Sequence, residues 1–199
     1  MWLGKRVFDL IFSLGGLVVL SPILIALSMW IKMDSKGPVF FRQERVGLDG
    51  RLFFIHKFRT MRTANQGLLI TVAGDPRITR SGSFLRKYKL DELAQLLDVL
   101  KGDMSFVGPR PEVSRYVAAY PEEVRIKTLS VRPGITDWAS IEFKDENDIL
   151  RESVDPEKDY IEKILPIKLK YHLAYVESAS FFGDIKVILL TLKAIFFRG

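Results

Sequence analysis

The sequence predicts an α+β fold, mainly helical and membrane-inserted, with a small β-hairpin, and three observations carry that expectation. Residues 7–31, VFDLIFSLGGLVVLSPILIALSMWI, form an apolar run of 25 residues with Asp9 as its only charge. Residues 38–60 hold two aromatic and β-branched runs flanking Gly47-Leu48-Asp49-Gly50, the pattern of a hairpin. Beyond residue 80, apolar residues recur at helical spacing between Gly and Pro breakers. The organisation expected is an N-terminal membrane helix over residues 1–36 and a single functional unit over 37–199.

The apolar run is long enough to span a bilayer, which needs about 20 such residues. It is too long for a cleaved signal peptide, and no small-residue cleavage site precedes Lys32. A plain single-pass anchor is the simplest reading. Its flanks argue otherwise, because Lys5 and Arg6 precede the run while Lys32 and Lys36 follow it. A spanning helix concentrates its positive charge on one side. Ser21-Pro22 lies near the middle, where proline removes a backbone hydrogen bond and a serine hydroxyl can take up part of the freed bonding. Gly15-Gly16 adds pliability. The expectation is a re-entrant helix, broken at Ser21 and Pro22, that returns to the face it entered.

In the second strand of the hairpin, Leu52, Phe54, His56 and Phe58 share one face, and Lys57 and Arg59 point together from the other. Residues 61–82 read as loop, with Gly67, Gly74-Asp75-Pro76 and Gly82 as breakers. A helix is expected to start near Asp91, with Leu93, Leu96, Leu97 and Leu100 as its stripe and Gly102 as C-cap. Residues 142–162 carry nine carboxylates and read as a solvated, partly helical surface. The last segment, DIKVILLTLKAIFFRG, places Ile185, Ile188, Leu189, Leu192, Ile195 and Phe196 at helical spacing. It fits a core helix or an interfacial one ending in Phe196, Phe197 and Arg198.

Composition narrows the chemistry. The absence of cysteine excludes disulfides, thiolate metal sites and Cys nucleophiles. His56 and His172 are the only histidines, too few for multi-His metal sites. Oxygen ligands remain, and they suit hard cations such as Mg2+. Residues 1–90 carry 15 Lys and Arg against 5 Asp and Glu, whereas residues 91–199 carry 15 against 19. A basic first half indicates an anionic partner: nucleic acid, an anionic membrane surface or a phosphorylated substrate.

The cations gather around one acidic pair. Arg77, Arg80, Arg86, Lys87, Lys89 and Arg110 surround Asp91-Glu92 in the sequence. Adjacent helical residues point about 100° apart, so these carboxylates should serve two roles and not share one proton. A helix N-terminus and neighbouring arginines should both favour ionised Asp91, which equally fits a simple helix cap. Asp98 and Asp103 read as surface residues, and Glu112 has no obvious partner. No P-loop or Gly-x-Gly-x-x-Gly is present, so phosphate binding rests on Arg, Lys and helix termini. Alternation of basic with aromatic residues keeps a nucleic-acid reading open, although the cations cluster beside the membrane segment and not along one helix.

A set of blocks, in order, closely resembles the bacterial monotopic phosphoglycosyl transferases. They are Lys5-Arg6 with Asp9, Ser21-Pro22, Gly37-Pro38-Val39-Phe40, Lys57-Phe58-Arg59-Thr60-Met61 and Leu90-Asp91-Glu92-Leu93. Lys101-Gly102-Asp103-Met104-Ser105, Val107-Gly108-Pro109-Arg110-Pro111-Glu112 and Val131-Arg132-Pro133-Gly134-Ile135-Thr136 complete them. The resemblance spans nearly the whole chain and is similar to the minimal form of the family. It implies transfer of a phosphosugar from a UDP-sugar to polyprenyl phosphate, with Mg2+, at the cytoplasmic face of the bacterial inner membrane. It implies that Asp91 is the nucleophile and touches Mg2+, and that UMP leaves as a phosphosugar–aspartyl intermediate forms. Glu92 is then assigned to proton handling or metal positioning, and Lys57, Arg59, Arg86 and Arg110 to holding phosphates. Partners implied are the UDP-sugar, polyprenyl phosphate and membrane lipids, with no nucleic acid; a homodimer is left open. The chain departs from the family pattern at Ala94, commonly Pro, at Asp98, commonly Asn, and over Thr136–Ser140. The first two are expected to adjust packing, and the third bears on substrate preference. The competing reading is a membrane-anchored scaffold or nucleic-acid-binding protein without activity, which Mg2+-dependent UMP release would separate.

Overall fold

The longest element is also the most apolar: α1 (Lys5–Asp34) runs as one helix through Pro22. Residues 2, 4–62, 75–143, 150 and 153–196 are described by the computed structural model. At Ser21-Pro22 the chain stays helical, and Ser21 Oγ donates one turn back to Val18 O at 2.8 Å. Lys5, Asp9, Ser13, Leu27 and Ile31 are buried at near-helical spacing. Val7, Ile11, Val18, Val19, Ile25 and Met33 are exposed on the other sides.

Both ends of α1 are tied to the rest of the chain. At its start, Lys5 Nζ donates to Asp184 Oδ2 at 2.6 Å, and Arg6 donates to Val99 O and Leu100 O. Asp9 Oδ1 accepts from Ser105 Oγ at 3.1 Å and Phe106 N at 3.2 Å. At its end, Asp34 Oδ2 accepts from Ser81 N at 2.8 Å and Ser81 Oγ at 2.7 Å. Arg59 donates to the Ser35 and Lys36 carbonyls just past the helix end and to the Ile31 carbonyl, which also accepts from Ser35 N.

The hairpin forms as the period-2 pattern predicts. β1 (Phe40–Val46) pairs antiparallel with β2 (Leu52–Phe58), Phe40 opposite Phe58 and Val46 opposite Leu52. The turn places Asp49 and Gly50 at φ 54° and 78°. Leu52 and Phe54 are exposed, whereas Phe58 leaves their line for a cluster with Leu27, Ile31, Leu85 and Ala94. The end of α1 therefore belongs to the same core as β2. Each such fully buried Leu, Ile or Phe contributes about 1.5–3 kcal/mol.

The helix expected from Asp91 is corrected. α2 (Arg80–Lys87), capped by Thr79, is followed by a 3-10 turn over Leu90–Gln95 and only then by α3 (Leu96–Lys101). Lys89 enters the turn left-handed, at φ 54°. Tight 3-10 winding is common where an α-helix begins. It rotates the buried side: Ala94, Leu96 and Val99 are buried, while Leu93, Leu97 and Leu100 are half-buried. Gly102 caps α3 at φ 98°, a backbone conformation that favours glycine.

Downstream, β3 (Ser105–Val107) pairs parallel with β4 (Gly134–Thr136), an element the sequence did not announce. The two chains approach so closely that a Cβ on Gly134 would lie 2.2 Å from Gly108 N. Short helices α4 (Ser114–Val117), α5 (Glu122–Leu129), α6 (Trp138–Glu142) and α7 (Pro156–Asp159) precede a π turn over Tyr160–Ile164. Then come α8 (Leu165–Ser178) and α9 (Phe181–Phe196). Leu150 and Tyr160 are buried with Tyr116, Leu165 and Leu169, so the acidic stretch is not solvated throughout. Gly67 and Gly74 of the expected loop, residues 144–149, 151 and 152 of the acidic stretch, and Phe197 and Arg198 lie outside the described residues. In α9 the buried line is Asp184 and Val187, with Leu189 and Leu192 exposed.

Candidate active site

The 3-10 turn presents Asp91 and Glu92 in its first positions, and their surroundings differ sharply. Glu92 Oε1 accepts from Lys57 Nζ at 2.9 Å, and both Glu92 oxygens accept from the Arg110 guanidinium. Asp91 is 8% exposed, and its Oδ1 is buried with no hydrogen-bond partner among the described residues. Two adjacent carboxylates thus occupy one site, one saturated by cations and the other not.

Electrostatics follow that division. Burial and then the neighbouring Glu92 charge push the Asp91 carboxyl upward, against the pull of Lys57, Lys89 and Arg86. The expectation that a helix terminus and arginines favour ionised Asp91 is therefore corrected: desolvation and the adjacent carboxylate outweigh them. Burial also pushes Glu92 upward, but Arg110 and Lys57 overcome it and hold Glu92 well below the usual carboxylate range. Glu92 in turn raises Arg110. Lys57 is lowered by burial despite Glu92.

Each cation is held from behind. Lys57 lies on β2 next to His56, whose backbone N donates to Asp98 Oδ2 at 2.8 Å and whose Nδ1 lies 2.5 Å from Asp98 Oδ1. Asp98, fully buried in α3, thereby fastens the strand carrying Lys57 to the helix that follows the Asp91 turn. Arg110 leaves β3 through Gly108-Pro109. Gly108 N donates to Thr136 O at 3.2 Å, and Gly134 N donates to Pro109 O at 3.0 Å. Arg45 Nη1 donates to Pro111 O and to Glu112 Oε2, so the hairpin braces the same loop.

The sequence-named residues do not all meet here. Lys57 and Arg110 converge on Glu92, and the field of Arg86 reaches Asp91. Arg59 lies elsewhere, with its guanidinium on the end of α1. Ser21 and Pro22 stay within α1, away from the contacts that fasten its ends. The surface reading of Asp98 is overturned, Asp103 is exposed as expected, and Glu112, read as having no obvious partner, has two. Asp98 is buried against His56 because the β2 backbone needs an acceptor, and Glu112 is buried with Arg45 and Tyr160 as partners. Sequence reasoning missed His56, Asp98, Arg45 and Asp184. A polar residue within an apolar helical pattern was the one local sign of Asp98 and Asp184, Arg45 and His56 lie on the hairpin strands, and the partners of all four are distant in the chain.

Beside Glu92 opens a cavity of about 240 Å3 between the Leu90–Gln95 turn, β4, α6 and α9. Lys87, Lys89, Glu92 and Arg110 stand among its lining, and most of the remaining wall is aliphatic or aromatic.

The family model described as bacterial sugar transferase matches residues 1–198. The chain is 40% identical over 194 residues to a UDP-glucose:undecaprenyl-phosphate glucose-1-phosphate transferase of Xanthomonas campestris pv. campestris, which covers 94% of this chain and 38% of that protein. It is 34% identical over 195 residues to a UDP-N-acetylgalactosamine-undecaprenyl-phosphate N-acetylgalactosaminephosphotransferase of Aeromonas hydrophila, covering 96% of this chain and 43% of that protein. An uncharacterised sugar transferase of Bacillus subtilis (strain 168) is 36% identical over 191 residues and is covered over 86% of its length. The chain therefore spans about two fifths of the length of the relatives named by their substrates.

Proposed function

The chain belongs to the bacterial sugar transferase family, and from that membership we propose that it moves a phosphosugar from a UDP-sugar to polyprenyl phosphate, releasing UMP. The observation that carries this reading is the divided pair. Asp91 is a buried carboxylate, its proton affinity raised, with an oxygen that has no partner among the described residues, beside a Glu92 locked by Lys57 and Arg110.

A carboxylate whose proton affinity is raised by burial is, once ionised, a stronger nucleophile than a solvated one. In the proposed step an Asp91 oxygen attacks the β-phosphorus of the UDP-sugar. The bond from that phosphorus to the bridging oxygen breaks, and UMP departs with the electron pair. The phosphosugar is left on Asp91 as an acyl phosphate. An oxygen of polyprenyl phosphate then attacks the same phosphorus, forming the polyprenyl diphosphosugar and restoring the Asp91 carboxylate. Glu92 keeps Lys57 and Arg110 aimed into the site, where they share their donors with incoming phosphate oxygens. Arg86 adds positive field beside Asp91.

Two anionic substrates meeting an anionic nucleophile call for further neutralisation. Among the described residues no three acidic or histidine side chains converge as a metal cage, and Mg2+ needs none, since it is commonly held by one or two carboxylates with substrate phosphates and water. Asp91 Oδ1, buried without a partner among the described residues, fits that use. Mg2+ held there would supply charge neutralisation on the diphosphate.

The membrane arrangement proposed is monotopic. Thirty residues of α-helix make about 45 Å of path, more than the roughly 30 Å hydrocarbon layer. Both its ends are fastened to the same body by buried polar contacts, through Lys5 and Asp184 and through Asp34 and Ser81. A helix so fastened enters and leaves lipid on one face, and the cations at both ends make that face cytoplasmic. Trp2, Phe8, Phe12 and Phe181 cluster at its start, with Phe182 exposed beside them, as interfacial aromatics do. The test is UMP release from a panel of UDP-sugars with undecaprenyl phosphate and Mg2+. Release with particular sugars, lost in Asp91→Ala, supports the reading; release that persists in Asp91→Ala overturns the role of Asp91.

A further inference from the structure

The geometry points to the cavity beside Glu92 as the seat of the acceptor's first isoprenoid units, with the acceptor phosphate at its Lys87, Lys89 and Arg110 mouth. The inference rests on the phosphosugar-transfer reading and locates one of its two substrates.

Chemistry decides between possible occupants. Leu93, Phe106, Ile135, Ile188 and Ile195 make up much of the rest of the lining. Two of its three hydroxyls are spent on the protein itself: Thr136 Oγ1 and Thr191 Oγ1 lie 2.6 Å apart, and Thr191 Oγ1 also donates to Val187 O at 2.8 Å, while Ser140 Oγ is buried with no partner among the described residues. A uracil ring or a sugar would bring several donors and acceptors, more than the single Ser140 hydroxyl could pair. A hydrocarbon chain brings none.

The charged residues of the lining are Lys87, Lys89, Glu92 and Arg110, with Arg110 bonded to Glu92 and the Lys89 charge acting on it. An occupant with an anionic head joined directly to an apolar chain matches that division. A prenyl phosphate is built so, its phosphate ester adjoining the first isoprene unit. A phospholipid places polar glycerol esters between phosphate and hydrocarbon, against a lining that is mostly aliphatic or aromatic outside its charged residues. The head would lie next to Glu92, one residue from Asp91, where the second displacement occurs. On the α9 side the cavity is lined by Leu192, itself exposed, with exposed Leu189 one turn away. The rest of a long chain can leave there into lipid.

The experiment has two readouts. Wild-type protein in nanodiscs is photolabelled with a diazirine-bearing farnesyl phosphate and the labelled peptides are mapped. Labels are expected on residues 188–195 and 135–141, competed by undecaprenyl phosphate and not by the same mole fraction of phosphatidylglycerol. Labels confined to α1, or equal competition by phosphatidylglycerol, would overturn the assignment. The second readout is Ala194→Trp, which fills the cavity. It is expected to raise the KM for undecaprenyl phosphate about tenfold or more while the KM for the UDP-sugar and the first burst of UMP stay within about twofold. A raised UDP-sugar KM with an unchanged acceptor KM would give the cavity to the donor instead. If wild-type protein releases no UMP, the transfer reading fails, and labelling still decides the seat of the prenyl phosphate. Labelling also needs no variant to fold.

Discussion

Lys5 and Asp184 are 179 residues apart in the chain, yet Lys5 Nζ lies 2.6 Å from Asp184 Oδ2 with both side chains buried. Trp2 Nε1 donates to the same oxygen at 2.8 Å, and the Tyr175 hydroxyl donates to Oδ1 at 3.0 Å. Removing one partner of such a pair leaves an uncompensated buried charge and costs about 3–5 kcal/mol. Lys5→Met and Asp184→Leu should each destabilise by that order, and the double variant by less than either. Thermal unfolding in detergent micelles measures the cycle.

The same pair bears on topology. The chain has no cysteine, so single-cysteine labelling is clean. Gly4→Cys and Lys36→Cys lie at exposed positions flanking α1. A membrane-impermeant maleimide should label both in inside-out vesicles and neither in right-side-out vesicles. Labelling from opposite sides would make α1 a spanning helix.

Asp91 should carry a stability penalty with a definite sign. Its folded pKa is raised by burial and by Glu92. Between the ordinary Asp value, near 3.9, and that raised value, the folded chain keeps a proton that the unfolded chain releases, so stability falls as pH rises through the window and stays lost above it. Asp91→Asn should therefore raise Tm at neutral pH relative to wild type while lowering turnover by about four orders of magnitude or more. The Tm advantage should shrink as pH is taken down towards the ordinary Asp value. Calorimetry across pH tests it, and an unchanged or lower Tm at neutral pH would count against a destabilised carboxylate.

Asp98 should act on the site through β2. Asp98→Ala leaves the His56 backbone N–H without its acceptor, at a cost of about 1–3 kcal/mol, and frees the strand that aims Lys57 at Glu92. Asp98→Asn keeps an oxygen for that N–H and should lose less. Chemical denaturation gives the stabilities, and the UDP-sugar KM should rise more in Asp98→Ala than in Asp98→Asn.

Much of this architecture is legible in the sequence because its causes are local. The β1–β2 hairpin follows from period-2 patterning around Gly47–Gly50, and the Gly102 cap from glycine at a helix end. The Asp91-Glu92 pair with Lys57 and Arg110 was named from motif blocks, and the fold brings Lys57 and Arg110 together on Glu92. What was illegible depends on long-range pairing. Over the six residues Leu90–Gln95, a 3-10 period and an α period place apolar residues almost alike. Arg59 shares the Lys57 face in strand periodicity, but the chain leaves β2 at Phe58 and Arg59 turns to the end of α1. Lys5 reads as a charged flank until Asp184 is beside it, and Asp98 reads as solvated until β2 crosses it. The upward shift of Asp91 depends on burial, which no neighbouring residue announces.

The most direct measurement is the intact mass of the protein after brief incubation with its UDP-sugar and Mg2+ in the absence of polyprenyl phosphate, followed by peptide mapping. The expected result is an added mass of one phosphosugar on the peptide bearing Asp91, absent in Asp91→Asn and discharged on adding undecaprenyl phosphate. Acceptor-dependent UMP release by wild-type protein with no adduct at any time would contradict it, and would mean a direct displacement in which Asp91 is not the nucleophile.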